Sequence, residues 1–168
     1  MKEDYKTKPL SELCDACAPF GGMDAKIVPC GPVGRIAGPA LTVRVHPGDH
    51  AYVAVLEKLV CKGDIVVISV GGNETCAVLD QKDCLTLALC GAAGIIVDGL
   101  LFEPAEEATV GIPVFARGIR PVFLHAATRA EIDVPVSCGG VAVCPDDWIV
   151  ADEEGVLCIR HTKSEEKE

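Results

Sequence analysis

The chain has 168 residues, enough for one domain with a substantial core and too few for two. Hydrophobic residues make up 49% but aromatics only 4%, so the core must be built from Val, Ile, Leu, Ala and Cys; with 17 glycines this favours short strands and tight turns over a helical bundle. A net charge of −10 repels a phosphate polymer and argues against nucleic-acid binding, and no apolar run reaches the ~20 residues of a membrane span.

The opening MKEDYKTKPLSEL lacks the apolar stretch of a signal peptide, so a reducing, cytoplasmic location is expected. There the 10 cysteines act as small core hydrophobes. Ser11 is placed to cap a short helix whose apolar stripe is Leu10, Leu13, Cys14 and Cys17, which favours packing over a redox or metal role for the Cys14–Cys17 pair. Glycines and prolines punctuate residues 21–45, with a clear strand at 40–45. Tyr52, Val55, Leu56 and Leu59 recur at helical spacing and predict a helix over 51–60. His46 and His50 are four apart, but Pro47 and Gly48 forbid the helix that would make them a metal pair.

The run IVVISV (65–70) has no polar face and reads as a strand buried on both sides, as in parallel sheets with helices packed against them. A polar loop at 71–75 leads to a helix over 79–90, with Asp80 capping its start. The next buried strand is 95–97, so 65–97 reads as a right-handed βαβ unit. Short strands at 113–116, 134–138, 141–144, 148–152 and 155–159 suggest hairpin-like pairing. One domain is expected over 1–160, followed by a polar, frayed tail at 161–168.

Ligands of open α/β sheets bind beyond the C-terminal strand ends. Loops 71–80 and 98–104 should therefore face one another across a crevice that receives helix N-terminal amides near Gln81, Lys82 and Asp83, a natural seat for a carboxylate. Glu74, Asp98, Glu103, Glu106 and Glu107 lie on or near this rim; they are either an oxygen-rich site for Mg²⁺ or Mn²⁺ or ordinary turn and helix-start acids.

Taken in order, LSELCDA, GPALTV, PGDH, KGDIVVISV, GAAGIIVDG, IPVFARG and VPVSCGGVAVCPDDWIVADEEGVLCI resemble one family along nearly the whole chain. It comprises the regulators of ribonuclease E activity and the class II 4-hydroxy-4-methyl-2-oxoglutarate aldolases. The resemblance implies an α/β, swivelling β/β/α domain: a buried, largely parallel sheet flanked by helices, plus short C-terminal strands. It further implies a homotrimeric or hexameric ring with clefts between subunits. For aldolase members it implies a 2-oxo acid substrate, a divalent cation (Mg²⁺ or Mn²⁺) and an arginine that together stabilise a pyruvate enolate.

Carried onto this chain, the resemblance places substrate contacts at Gly72, Asn73, Gln81, Lys82, Asp83 and Phe102, and a metal oxygen at Glu103. The aldolase pattern has Gly-Asp or Gly-Glu at the helix start and Arg-Asp after the second strand; here the corresponding residues are Asp80-Gln81 and Phe102-Glu103. Phe102 offers neither charge nor donor, so Arg117 or Arg120, after the PVFA strand, is the candidate for the missing cation. The alternative is a non-catalytic, protein-binding module like the ribonuclease regulators.

Overall fold

The computed structural model describes residues 2–15, 21–124 and 130–161. Cys17, His125 and the tail beyond His161 lie outside them. In chain order the helices are α1 (Lys2–Thr7), α2 (Leu10–Cys14), α3 (Tyr52–Leu56), α4 (Gln81–Cys90) and α5 (Glu107–Val110). The strands are β1 (Val28–Pro29), β2 (Ile36–Arg44), β3 (Ile65–Ser69), β4 (Ala77–Leu79), β5 (Gly94–Asp98), β6 (Leu100–Leu101), β7 (Val114–Ala116) and β8 (Gly118–Ile119), then β9 (Glu131–Ile132), β10 (Val136–Cys138), β11 (Val141–Val143), β12 (Trp148–Asp152) and β13 (Gly155–Ile159).

The main sheet runs β1-β7-β5-β3-β2-β12-β13, with β9 also paired to β2. Its centre, β7-β5-β3-β2, is parallel. β12 joins β2 antiparallel and pairs with β13 as a hairpin; β10 and β11 form a separate hairpin.

The all-apolar strands are explained by what lies on each side. Val66, Ile68, Ile95 and Val97 point into one core with Tyr52 and Leu56 of α3 and Leu87 of α4. Ile65, Val67 and Ile96 point the other way, into a second core with Val136, Val143 and Ile149. Each such Val or Ile, fully withdrawn from water, contributes roughly 1.5–3 kcal/mol. One face of the sheet is covered by helices and the other by strands, a layered mixed α/β arrangement rather than the helix-flanked sheet that apolar runs alone suggest.

Local expectations are corrected at three places. Pro9, not Ser11, is the N-cap of α2, and no side chain caps it. That helix has one short face, Leu10 and Leu13, packed on Val150, Leu157 and Ile159, while Cys14 is exposed. The helix expected over 51–60 ends at Leu56, because i→i+3 bonds from Lys58 and Leu59 tighten the chain into turns and leave Val55 and Leu59 exposed. Cys61 is exposed as well, and Cys90 and Cys144 are half-buried, but Cys30, Cys76, Cys84, Cys138 and Cys158 do pack inside; burial pushes the thiols of Cys84 and Cys158 up to about 12, so they remain neutral core groups.

The βαβ reading conceals a further layer. The chain leaves β3, β5 and β7 and each time forms another short strand: β4, β6 and β8 compose a small parallel sheet of their own. Among the described residues no helix is long and apolar enough to cross a membrane.

Candidate functional site

The small sheet divides the expected crevice into a junction and a rim. At the junction, loops 71–80 and 98–104 do face one another: Gly72 N–H donates to the Asp98 carbonyl at 3.2 Å. Gly72 has φ 71°, and a Cβ there would lie 3.4 Å from Arg117 Nε, so glycine supplies both the turn and the room. Arg117 Nε sits 2.5 Å from Asp98 Oδ1, and Nη1 reaches Asp24 Oδ2 at 3.4 Å. Burial opposes the guanidinium charge, but the two carboxylates outweigh it and hold Arg117 above its ordinary pKa. The Asn73 carboxamide accepts from Thr75 N–H and Oγ1, closing its own turn. Arg117 is thus committed to carboxylates of its own chain, and Asn73 to its own loop.

The rim is formed by the C-terminal ends of β4, β6 and β8. From these ends project the start of α4, Phe102 with Glu103, and Arg120. Asp80 behaves as expected from sequence: its Oδ1 accepts from Asp83 N–H at 2.7 Å, and Asp83 Oδ2 returns the bond to Asp80 N–H at 3.2 Å, a reciprocal capping box. Glu103 Oε1 accepts from Gln81 N–H at 3.3 Å. Two of the helix-start amides expected to receive a substrate carboxylate are therefore already used by Asp80 and Glu103. The Lys82 N–H, between them, has no acceptor among the described residues, and Gln81 Oε1 is shielded from water without a partner.

Phe102 N–H donates to the Leu79 carbonyl at 2.9 Å, pinning it beside the helix start, and Arg120 N–H donates to Leu101 on the neighbouring strand at 2.9 Å. The Arg120 side chain extends to the Glu74 carbonyl through Nη1 at 2.9 Å and is otherwise exposed. The Phe102 ring, which could have filled core space, is half-buried and stacks on Phe123 with centroids 4.6 Å apart. Sequence reasoning missed Phe123 and Asp24; neither belongs to a local motif, and Asp24 reaches Arg117 from 93 positions away.

Burial, and then the neighbouring Asp80 charge, push the Asp83 carboxyl up to about 6, against the lowering effect of the Asp80 N–H it accepts. A carboxyl raised in the fold holds its proton more tightly folded than unfolded. Its contribution is therefore most favourable below the unfolded value of 3.8 and declines as pH rises to about 6. Asp83→Asn retains an acceptor for Asp80 N–H but cannot ionise. Urea midpoints measured from pH 4 to 7 should show a flatter acid-side dependence in the variant and a higher midpoint at pH 7.

The oxygen cluster weighed from sequence does not assemble. A hard divalent cation needs several oxygens at once, yet among the described residues no three His, Cys, Asp or Glu side chains converge to hold a metal. Asp80, Asp83 and Glu103 each spend an oxygen on a backbone N–H. Glu106 stands at the start of α5 without capping it, and Glu107 is inside that helix. The donor set of one chain does not fit the cation that the resemblance implies.

Comparison with known proteins gives a consistent picture. A family model described as Aldolase/RraA matches residues 10–158. A protein of Halalkalibacterium halodurans, provisionally named 4-hydroxy-4-methyl-2-oxoglutarate aldolase, is 31% identical over 155 residues, covering 92% of this chain and 74% of that protein. A protein of the same provisional name from Burkholderia multivorans is 30% identical, covering 88% and 93%. Among solved structures, the RNA-processing inhibitor RraA from Thermus thermophilis superposes with a TM-score of 0.81 at 25% identity, covering 96% of this chain and 98% of that one. The Streptomyces coelicolor RraAS2 structure shares the fold, with a TM-score of 0.74 at 23% identity and coverage of 89% and 77%.

Proposed function

The chain belongs to the Aldolase/RraA family, and on that premise we propose that it is a carbon–carbon lyase of the aldolase or oxaloacetate decarboxylase type acting on a 2-oxo acid at the rim of the small sheet. The observation that carries this reading is the alignment of three parallel strand ends, one leading into an unengaged helix-start amide and another into an exposed guanidinium. The Lys82 N–H receives the substrate carboxylate. Arg120, rather than the carboxylate-bound Arg117, supplies the cation absent at position 102.

When the C3–C4 bond of the 2-oxo acid breaks, C4 leaves as CO₂ or, once its hydroxyl has given up a proton, as a second carbonyl compound; the electron pair passes into the C2 carbonyl as an enolate, which takes a proton at C3 to give pyruvate. A guanidinium held at that oxygen stabilises charge that develops only as the bond breaks, and so lowers the barrier rather than merely tightening binding. Mg²⁺ or Mn²⁺ could reach the second oxygen of Glu103, but that residue alone is not a site, and no step here runs through a metal. The assembly is a homotrimer or hexamer, which light scattering tests directly.

Pyruvate release from oxaloacetate and from 4-hydroxy-4-methyl-2-oxoglutarate, assayed with and without Mg²⁺ or Mn²⁺, should exceed the rate with the same ions alone. Arg120→Ala should reduce that rate by about 10²-fold, the usual effect of losing one donor to a developing oxyanion. An unaltered rate removes Arg120 from the site.

One observation favours a second reading, that of a protein-binding regulator. Ile119, Val122 and Leu124 are 45%, 36% and 48% exposed beside the edge strand β8, while Glu103 already occupies the Gln81 amide. Absent turnover together with a stable partner recovered at low salt would favour it.

A further inference from the structure

The rim has a polar side and an apolar side, and they are built differently. Phe102 and Phe123 lie nearly parallel, 5° apart in plane. His50 meets Phe123 edge-on at 4.2 Å and 80°. All three side chains are half-buried, so the group is a shelf whose aromatic surface is only partly covered by the protein. Phe102 is fixed on this shelf by its N–H to Leu79 and by its neighbour Glu103, which is tied to Gln81. The shelf therefore lies against the start of α4.

Charge limits what can occupy it. One carboxylate can be met by the Lys82 amide, with Arg120 at the adjoining oxo oxygen. A second, extending toward Phe102, would approach Asp80, Asp83 and Glu103, with only the Lys82 ammonium, whose charge already acts on Asp83, to offset them. Burying such a charge unpaired is strongly unfavourable, whereas a flat apolar group laid on the shelf removes ring surface from water and gains offset or edge contacts with Phe102.

Resting on the 2-oxo acid reading above, we propose that the Phe102–Phe123 pair sets substrate class: the site takes a monoanionic 2-oxo acid with an aryl or similarly flat apolar arm in preference to a dicarboxylate. Phe102 and Phe123 are specificity determinants, and the polar groups bind the part common to all 2-oxo acids.

Calorimetric titration of the full chain with pyruvate, phenylpyruvate and oxaloacetate, with and without Mg²⁺, tests this. Phenylpyruvate should bind about tenfold tighter than pyruvate, the scale of one added aromatic contact with its buried area, and oxaloacetate no tighter than pyruvate. Phe102→Ala, with Phe102→Leu as a variant of smaller volume change, should abolish the aryl preference, so that phenylpyruvate and pyruvate bind alike. Equal affinities for pyruvate and phenylpyruvate, or a preference that survives both variants, overturn the shelf while leaving the 2-oxo acid reading standing. If no 2-oxo acid binds, that reading fails and takes this inference with it.

Discussion

Arg117→Ala should destabilise the fold by about 3–5 kcal/mol, the scale for removing one partner of a buried ion pair. The side chains of Arg117 and Asp98 are only 11% and 5% exposed, and the variant leaves the Asp98 carboxylate in the junction without its cation. The Asp24 contact is weaker, because that carboxylate is 41% exposed and keeps its water; Asp24→Ala should leave stability nearly unchanged. Urea unfolding at fixed protein concentration measures both. Pairing Arg117→Leu with Asp98→Asn should recover much of the loss, since the deficit arises from an uncompensated charge and not from missing volume. A loss below about 1 kcal/mol for Arg117→Ala would show that water reaches the pair, and Arg117 would return as a candidate for the substrate cation.

That prediction also marks where the sequence stops being legible. Local chemistry announces itself: 65–70 has no polar face, so a strand covered on both sides follows, and Asp80 precedes a helical pattern with Asp83 three residues on, so a capped start follows. The strands β4, β6 and β8 have two or three residues each, too short for any period, and they exist because β3, β5 and β7 already place them side by side. Without them Leu100 and Leu101 read as a greasy loop, and the two loops read as walls of a single crevice. With them, Asp98 and Phe102 fall at opposite ends of β6, one in the junction and one on the rim. The cation candidates separate in the same way: Arg117 precedes β8 and meets Asp98, while Arg120 follows β8 and meets the rim. Phe102 stands out through the resemblance, as a residue that cannot replace the family's guanidinium; its partner Phe123 is invisible in the sequence because only the fold brings 102 and 123 together.

Phe102→Arg carries the other large effect, and its sign depends on the substrate. An arginine there would lay its guanidinium over the Phe123 ring, a favourable cation–π contact that holds it in place. It would add positive charge beside Glu103 and the helix start, where Asp80, Asp83 and Glu103 outnumber the Lys82 ammonium. Oxaloacetate decarboxylation should rise by about 10²-fold, the usual scale for one electrostatic group acting on a developing enolate. Affinity for an aryl 2-oxo acid should fall in the same variant, because half the shelf is gone. Steady-state kinetics on the dicarboxylate and titration with phenylpyruvate read the two arms separately. A rate that does not change would mean that position 102 is not the sole departure that matters, and the nearest other cause is Glu103, whose hold on the Gln81 amide keeps that N–H from any incoming carboxylate. Glu103→Gln in the Phe102→Arg background separates these cases: it weakens that hold without removing the side chain, and a rate that then rises places the obstruction at the helix start and not at the aromatic shelf.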